Sequence, residues 1–262
     1  MYVDSHAHFD TFVEEGTIDD VLKRNAEVGV DSCIAIGGSD KANACAASLS
    51  VSYPGRIYAT VGYDRDEAGK SHDMGAMEAL LGQDGVVGVG ETGLDYHYNA
   101  DTSDAQKALF KKMLDAAAAS RKPVVVHSRD ADDDMIEMLS SYCASWEGDA
   151  APGVLHCFTG GSVFCERLLA LGMMISFSGI ITFKNAGDLR EVVREVPNER
   201  LLIETDAPYL APVPFRGKQN EPGFVIHVAQ VVADLRGVAV EEIARITAEN
   251  TKRLFGIAKE ST

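Results

Sequence analysis

Apolar residues along this chain fall into short runs separated by longer segments of helical spacing. The runs cover residues 2–4, 32–36, 57–62, 86–91, 123–127, 153–156, 173–177 and 201–204. All are of strand length, and the third to fifth are rich in valine and isoleucine, as expected of parallel strands covered on both faces. Thr17 is placed to cap a helix from 18 to about 27, with Gly29 just past its end. Ser103-Asp104-Ala105-Gln106 reads as a capping box. Ala105, Leu109, Met113 and Ala117 then recur every four residues, which predicts one buried helix face. Ile136, Leu139 and Tyr142 mark another helix, Val163, Leu168 and Leu171 another, and 240–255 a last amphipathic one.

Strands alternating with helices predict an α/β protein, a (β/α)8 TIM barrel with its site at the C-terminal ends of the strands. The alternative, a doubly wound open sheet, lacks a GxGxxG after the first strand. No linker, low-complexity tract or short repeat interrupts the pattern, so residues 1–262 read as one domain.

The composition, 46% hydrophobic and 24% charged, is that of an ordinary globular chain. No segment approaches the ~20 apolar residues of a membrane helix, so no membrane partner is expected. Asp4 and Glu14 stand where a secretory leader would need a basic start and an apolar core. The five cysteines are odd in number and form no CxxC, which predicts reduced thiols and a cytoplasmic protein. Cys157, next to His156, is expected to turn to the opposite strand face and be buried. The net charge of −16 argues against a broad basic surface for gripping nucleic acid, though not against a metal-centred nuclease. No protein partner is signalled.

Polar residues gather at the ends of the apolar runs. The first run leads into DSHAHFD at 4–10, where His6 and His8 alternate on one face of a strand. Glu91 ends the fourth run, within GETGLDY. His127 ends the fifth, His156 the sixth, and Asp206 follows the eighth within ETDAPYLAP. Any one of these has a bland reading: a satisfied core histidine, a paired glutamate, an aspartate capping a turn before Pro208. Together, in a barrel, they converge on one mouth. Of the other histidines, His72 and His227 fall in helical segments, and His97 follows a site motif near the mouth.

Four imidazoles and two carboxylates exceed the needs of one tetrahedral zinc and suit two divalent ions sharing a ligand. Glu91 is the natural bridge. His6, His8, Glu91 and Asp206 would hold one ion, and Glu91, His127 and His156 the other. Two cations lower the pKa of water to near neutrality, and Asp206 can take the proton as general base. The reaction class is metal-assisted hydrolysis. Mg, Mn and Zn remain open as the metal, since imidazoles favour Zn while carboxylates favour Mg or Mn.

These motifs resemble the TatD family of metal-dependent deoxyribonucleases, a branch of the amidohydrolase-like barrels. The resemblance covers nearly the whole chain: DSHAHFD, GETGLDY, PVVVHSRDA, LHCFTG, FSGIITFKNA, LLIETDAPYLAP and PFRGKQNEP occur in the family's order. It implies His6, His8, Glu91, His127, His156 and Asp206 as metal ligands. It also implies hydrolysis of phosphodiesters in DNA, often exonucleolytic, acting on single strands from an end (3'-5'). One stretch departs. After the third strand the family usually shows GIHPH, whereas here Gly62-Tyr63-Asp64-Arg65-Asp66 stands. Arg65 is a candidate substitute for the missing histidines in holding phosphate. Arg129, Arg216 and Lys218 are further phosphate-facing candidates, arginine for its bidentate fork. Tyr96, Phe158 and Tyr209 are candidates for stacking on bases.

Two other functions compete: a metal-dependent hydrolase of another ester or amide, such as an aminoacyl-tRNA deacylase, and a non-catalytic metal-binding protein. A glutamate at position 91, where many amidohydrolases carry a bridging carbamylated lysine, favours the nuclease branch. Asp206, the expected base, disfavours the non-catalytic reading.

Overall fold

A computed structural model of the chain describes residues 1–98, 100–148 and 150–257. Eight parallel strands lie in chain order around one sheet: β1 (Tyr2–Ala7), β2 (Val30–Ala35), β3 (Ile57–Val61), β4 (Val86–Asp95), β5 (Val124–Arg129), β6 (Gly153–Leu155), β7 (Met174–Phe177) and β8 (Leu201–Ile203). The sheet closes on itself just beyond β8. Ala7 bridges Ala207 in parallel, and Asp206 N donates to His6 O at 3.0 Å. Helices connect successive strands, so this is the expected (β/α)8 barrel.

Strand alternation sorts the core into two layers. Val124 and Val126 face outward into the large cluster beneath the helices. Val125 between them joins Ile34, Val154, Met174 and Leu202 in a separate inner cluster, closed by Leu254, Phe255 and Ile257. The C-terminal helix Val240–Leu254 thus delivers a plug. Phe255 reaches Gly88 near the start of β4, so the plug fills the N-terminal end and leaves the C-terminal end for a site.

Two strands carry one residue more than their neighbours at a metal-ligand candidate. Between Asp4 and Ala7, β1 advances three residues while β2 advances two. Between Val89 and Thr92, β4 does the same against β5. Bulges of this kind re-aim side chains at barrel rims. The β4 bulge needs its glycines. Gly90 and Gly93 have φ of +147° and +145°, and a Cβ on Gly93 would lie 1.9 Å from His127 O. The strand consequently runs on to Asp95, and Glu91 sits mid-strand rather than at its end.

Other local expectations need correction. The helix Ser103–Ser120 begins with Ser103 already inside it, and the Gln106 amide binds both backbone groups of Asp95, at 2.8 and 3.0 Å. His72 lies in the loop before the helix Met74–Leu81 and stacks on Tyr63. Val163 is exposed, because the buried face of its helix is carried by Phe164, Cys165 and Leu168. Among the described residues no single helix is long and apolar enough to cross a membrane.

Candidate metal centre

The C-terminal end of the barrel brings His6, His8, Glu91, His127, His156 and Asp206 together, from β1, β4 and β5 and from the segments just after β1, β6 and β8. His6 Nε2 and His8 Nε2 are 3.3 Å apart. Both lie 3.5 Å from Glu91 Oε2, and Asp206 Oδ1 is 3.6 and 3.4 Å from them. On the other side, Glu91 Oε1 is 3.2 Å from His156 Nε2 and 3.5 Å from His127 Nδ1. The two glutamate oxygens therefore face different histidine pairs, which meet where the His6 and His156 rings stack at 3.8 Å. Donor separations of this size match the ~3.3 Å expected between two ligands of a tetrahedral zinc bound at about 2.0–2.1 Å. The donor atoms of His6, His8 and Glu91, and those of Glu91, His127 and His156, lie within 4.8 Å of one another. His6, His156 and Asp206 form a third such group, so the residues present fit divalent metal, with Glu91 in two of the three groups.

The electrostatics suit cationic ligands. Burial works against ionising Glu91, but His156 and His6 outweigh it and hold the carboxyl well below the usual range. Burial likewise opposes ionisation of Asp206, and His8 and His6 outweigh it. For His156 burial disfavours the charged form, while Glu91 and Glu204 raise its pKa. Both carboxylates are thus ionised at neutral pH and available as ligands to a cation.

Three further acids hold the ligands. Glu204 is fully buried; its Oε1 lies 3.2 Å from His156 Nδ1 and accepts from Cys157 N at 2.9 Å. Asp95 Oδ2 lies 3.3 Å from His127 Nε2. Asp4 accepts from His6 N and from both donors of Thr205, the residue before Asp206. Carboxylates behind metal-binding imidazoles orient the rings and raise their basicity. The sequence reading missed all three, yet each had a signal: Asp4 and Glu204 stand two residues before a ligand, and Asp95 four after one.

The ligand cavity, of about 320 Å³, is lined by His8, Glu91, His127, His156, Asp206, Arg65 and Arg129 among others. It shares Ser128, Arg129, Thr159, Ile180 and Leu210 with an adjoining cavity of about 530 Å³. Arg129 is exposed at the rim common to both. Arg65 is turned inward instead: its Nη1 is 3.0 Å from Glu91 Oε1 and also paired with Asp64, and its Nε is 3.7 Å from Asp95. Arg216 stacks over Phe183, a wall of the second cavity, at 3.9 Å, and Lys218 stands 5.6 Å from the Phe215 ring. Tyr209 is exposed and lines the ligand cavity, whereas Phe158 is buried packing and the Tyr96 hydroxyl is engaged by Asp134. Cys157 also lines the cavity rather than facing away. β6 stops at Leu155 and Cys157 has φ +43°, so strand alternation does not govern it.

Residues 3–256 match the family model for TatD related DNase. The metal-dependent hydrolase YcfH of Escherichia coli, itself described as uncharacterized, is 42% identical over 258 residues, covering 97% of this chain and 96% of YcfH. A protein of Erwinia billingiae named 3'-5' ssDNA/RNA exonuclease TatD is 34% identical over 244 residues, covering 90% of this chain and 92% of its own. The crystal structure of YJJV, a TatD homologue of Escherichia coli, superposes with a TM-score of 0.87 at 30% identity and covers 98% of both chains.

Proposed function

Because this chain belongs to the TatD family of metal-dependent hydrolases, we propose that it hydrolyses phosphodiester bonds of single-stranded DNA from an end, 3' to 5', in the cytoplasm. The observation that carries the reading is the gathering of four imidazoles and two ionised carboxylates around Glu91. Two divalent ions, Mg, Mn or Zn, would be held there, the first by His6, His8, Glu91 and Asp206 and the second by Glu91, His127 and His156. Bound, they supply Lewis acidity, lowering the pKa of water and neutralising charge on the scissile phosphate. Asp206 stays ionised, lines the open cavity and accepts the proton of the attacking water. Glu91 would be a ligand to both ions. Arg129, at the rim, binds the phosphate ester beside the scissile one, and Arg216 and Lys218 meet the strand farther out.

End preference follows from shape and charge. The terminal nucleotide enters the adjoining cavity, whose walls include Phe164, Ile180 and Phe183. With a net charge of −16 the surface offers no continuous basic track. Contact is confined to two or three phosphates, which gives a shallow salt dependence, each phosphate adding about 0.7 to the log–log slope. The Erwinia protein's name supports a single-stranded, 3'-directed substrate. The cytoplasmic placement rests on the odd count of cysteines without CxxC.

The test is digestion of linear and circular single-stranded DNA, labelled at either end, by metal-loaded protein across a salt series. Ordered release from the 3' end of the linear strand alone is expected. Equal cleavage of the circle would refute end entry. Turnover of an aminoacyl-tRNA without any DNA cleavage would replace the nuclease reading by the deacylase one.

A further inference from the structure

Arg65 occupies an unusual position for a residue beside a cation site. Its side chain is about one-fifth exposed and lines the ligand cavity, but its guanidinium points inward at three carboxylates. Nη1 donates to Glu91 Oε1 at 3.0 Å and is paired with Asp64; Nε is 3.7 Å from Asp95 Oδ2. Glu91 Oε1 is the oxygen that faces His156 and His127. Glu91 Oε2, which faces His6 and His8, is outside this arrangement. The positive charge of Arg65 is therefore lodged against one of the two ion positions and not the other.

A guanidinium is permanently charged, and its donors compete with a cation for the same lone pairs. Asp95, which orients His127 through a 3.3 Å contact, is drawn into the same group. We propose that Arg65 is a resident cation that competes with the second metal ion for Glu91, so the protein takes up its first divalent ion far more tightly than its second. The first position, built by His6, His8, Glu91 Oε2 and Asp206, loads independently of Arg65. The second fills only as Arg65 withdraws towards the cavity mouth, with Asp64 as its remaining partner. Arg65, still held by Asp64, then lines the cavity with Arg129 and faces whatever anion lies there. Arg65 thus sets the metal occupancy at which the site is complete.

This inference rests on the two-ion reading of the site, and its test reads metal binding rather than turnover. Metal-free protein is titrated with Mn²⁺, following the free-ion electron paramagnetic resonance signal, for wild type, Arg65→Met and Arg65→Lys. Methionine keeps the length of the stem without charge, and its thioether is a poor ligand for Mn²⁺. Wild type should show two classes of site whose dissociation constants differ by at least about 100-fold. Arg65→Met should tighten the second class about tenfold or more and leave the first unchanged, and Arg65→Lys should retain the wide separation. Two equally tight ions in wild type, or an unchanged second class in Arg65→Met, would overturn the proposal while leaving a two-ion site standing. Binding of a single ion by wild type and Arg65→Met alike would overturn the two-ion reading and the role of Arg65 with it.

Discussion

Replacing Asp4 by alanine should destabilise the protein by about 2–6 kcal/mol, although Asp4 is not itself a metal-ligand candidate. Its fully buried carboxylate accepts from Thr205 N at 2.9 Å, from the Thr205 hydroxyl at 2.5 Å and, more weakly, from His6 N at 3.3 Å. These bonds staple β1 to the segment carrying Asp206, at the seam where the barrel closes. Alanine leaves the Thr205 amide and hydroxyl buried without this acceptor, at about 1–3 kcal/mol each, and the long His6 bond adds little. For a chain of this length 1 kcal/mol corresponds to roughly 2 °C in Tm, so a fall of roughly 4–12 °C is expected. Asparagine should behave differently. Burial pushes the Asp4 carboxyl well above its ordinary 3.8, against the downward pull of the Thr205 and His6 bonds. A raised pKa means that the folded state binds the proton more tightly. The stability it lends is complete below the unfolded value and lost as pH rises through the folded one. An asparagine amide would keep an acceptor and the shape with no charge to desolvate, so Asp4→Asn should stay within about 1 kcal/mol of wild type at neutral pH. Urea unfolding followed by circular dichroism, in chelator to remove metal linkage, measures all three proteins. Asp4→Ala within about 1 kcal/mol of wild type, or Asp4→Asn as unstable as Asp4→Ala, would show that the bonds at the seam do not carry this stability.

Asp206→Asn should lower kcat by about 100-fold or more with little change in Tm, because it removes the proton acceptor from an open cavity; steady-state kinetics at saturating metal would show it. Glu204→Gln should weaken metal binding about 10–100-fold, chiefly at the position that includes His156, as read by chelator competition; an unchanged affinity would deny Glu204 its orienting role. Burial works to raise the Asp95 carboxyl, but His127 and the Tyr98 amide outweigh it and bring it down to about 2 from 3.8. The stability that Asp95 lends is present above its ordinary value and lost as pH falls towards the folded one, so Asp95→Asn should flatten the acid limb between about pH 4 and 2, by roughly 2 kcal/mol in chelator-treated protein.

Much of the fold was legible because its determinants are local. Each apolar run is bounded by polar or turn residues, and eight runs alternating with helices leave few architectures other than the barrel. The six ligand candidates were legible for a related reason: a barrel strand ends at one rim, so a polar residue at the end of an apolar run has its place defined by the run itself. The strand alternation that unites His6 and His8 is likewise a property of the backbone.

Pairing between strands belongs to the tertiary structure, and there the reading by runs stopped short. The bulges at His6 and Glu91 are register differences between neighbouring strands, and they move Glu91 from a strand end to mid-strand. Cys157 turned into the cavity because β6 ended before it and left-handed backbone followed. Arg65 belongs to a loop whose sequence suggests a solvated phosphate contact; only the pairing of β3 with β4 brings Glu91 and Asp95 to it, beside its chain neighbour Asp64. Asp4, Asp95 and Glu204 read as ordinary acids until the barrel sets each behind a histidine or a backbone donor at the rim. Sequence alone determined which residues could ligate and roughly where they stand, because spacing along one strand is covalent. Which oxygen of Glu91 faces which histidines, and which cation already leans on it, was decided by contacts between strands that no local pattern encodes.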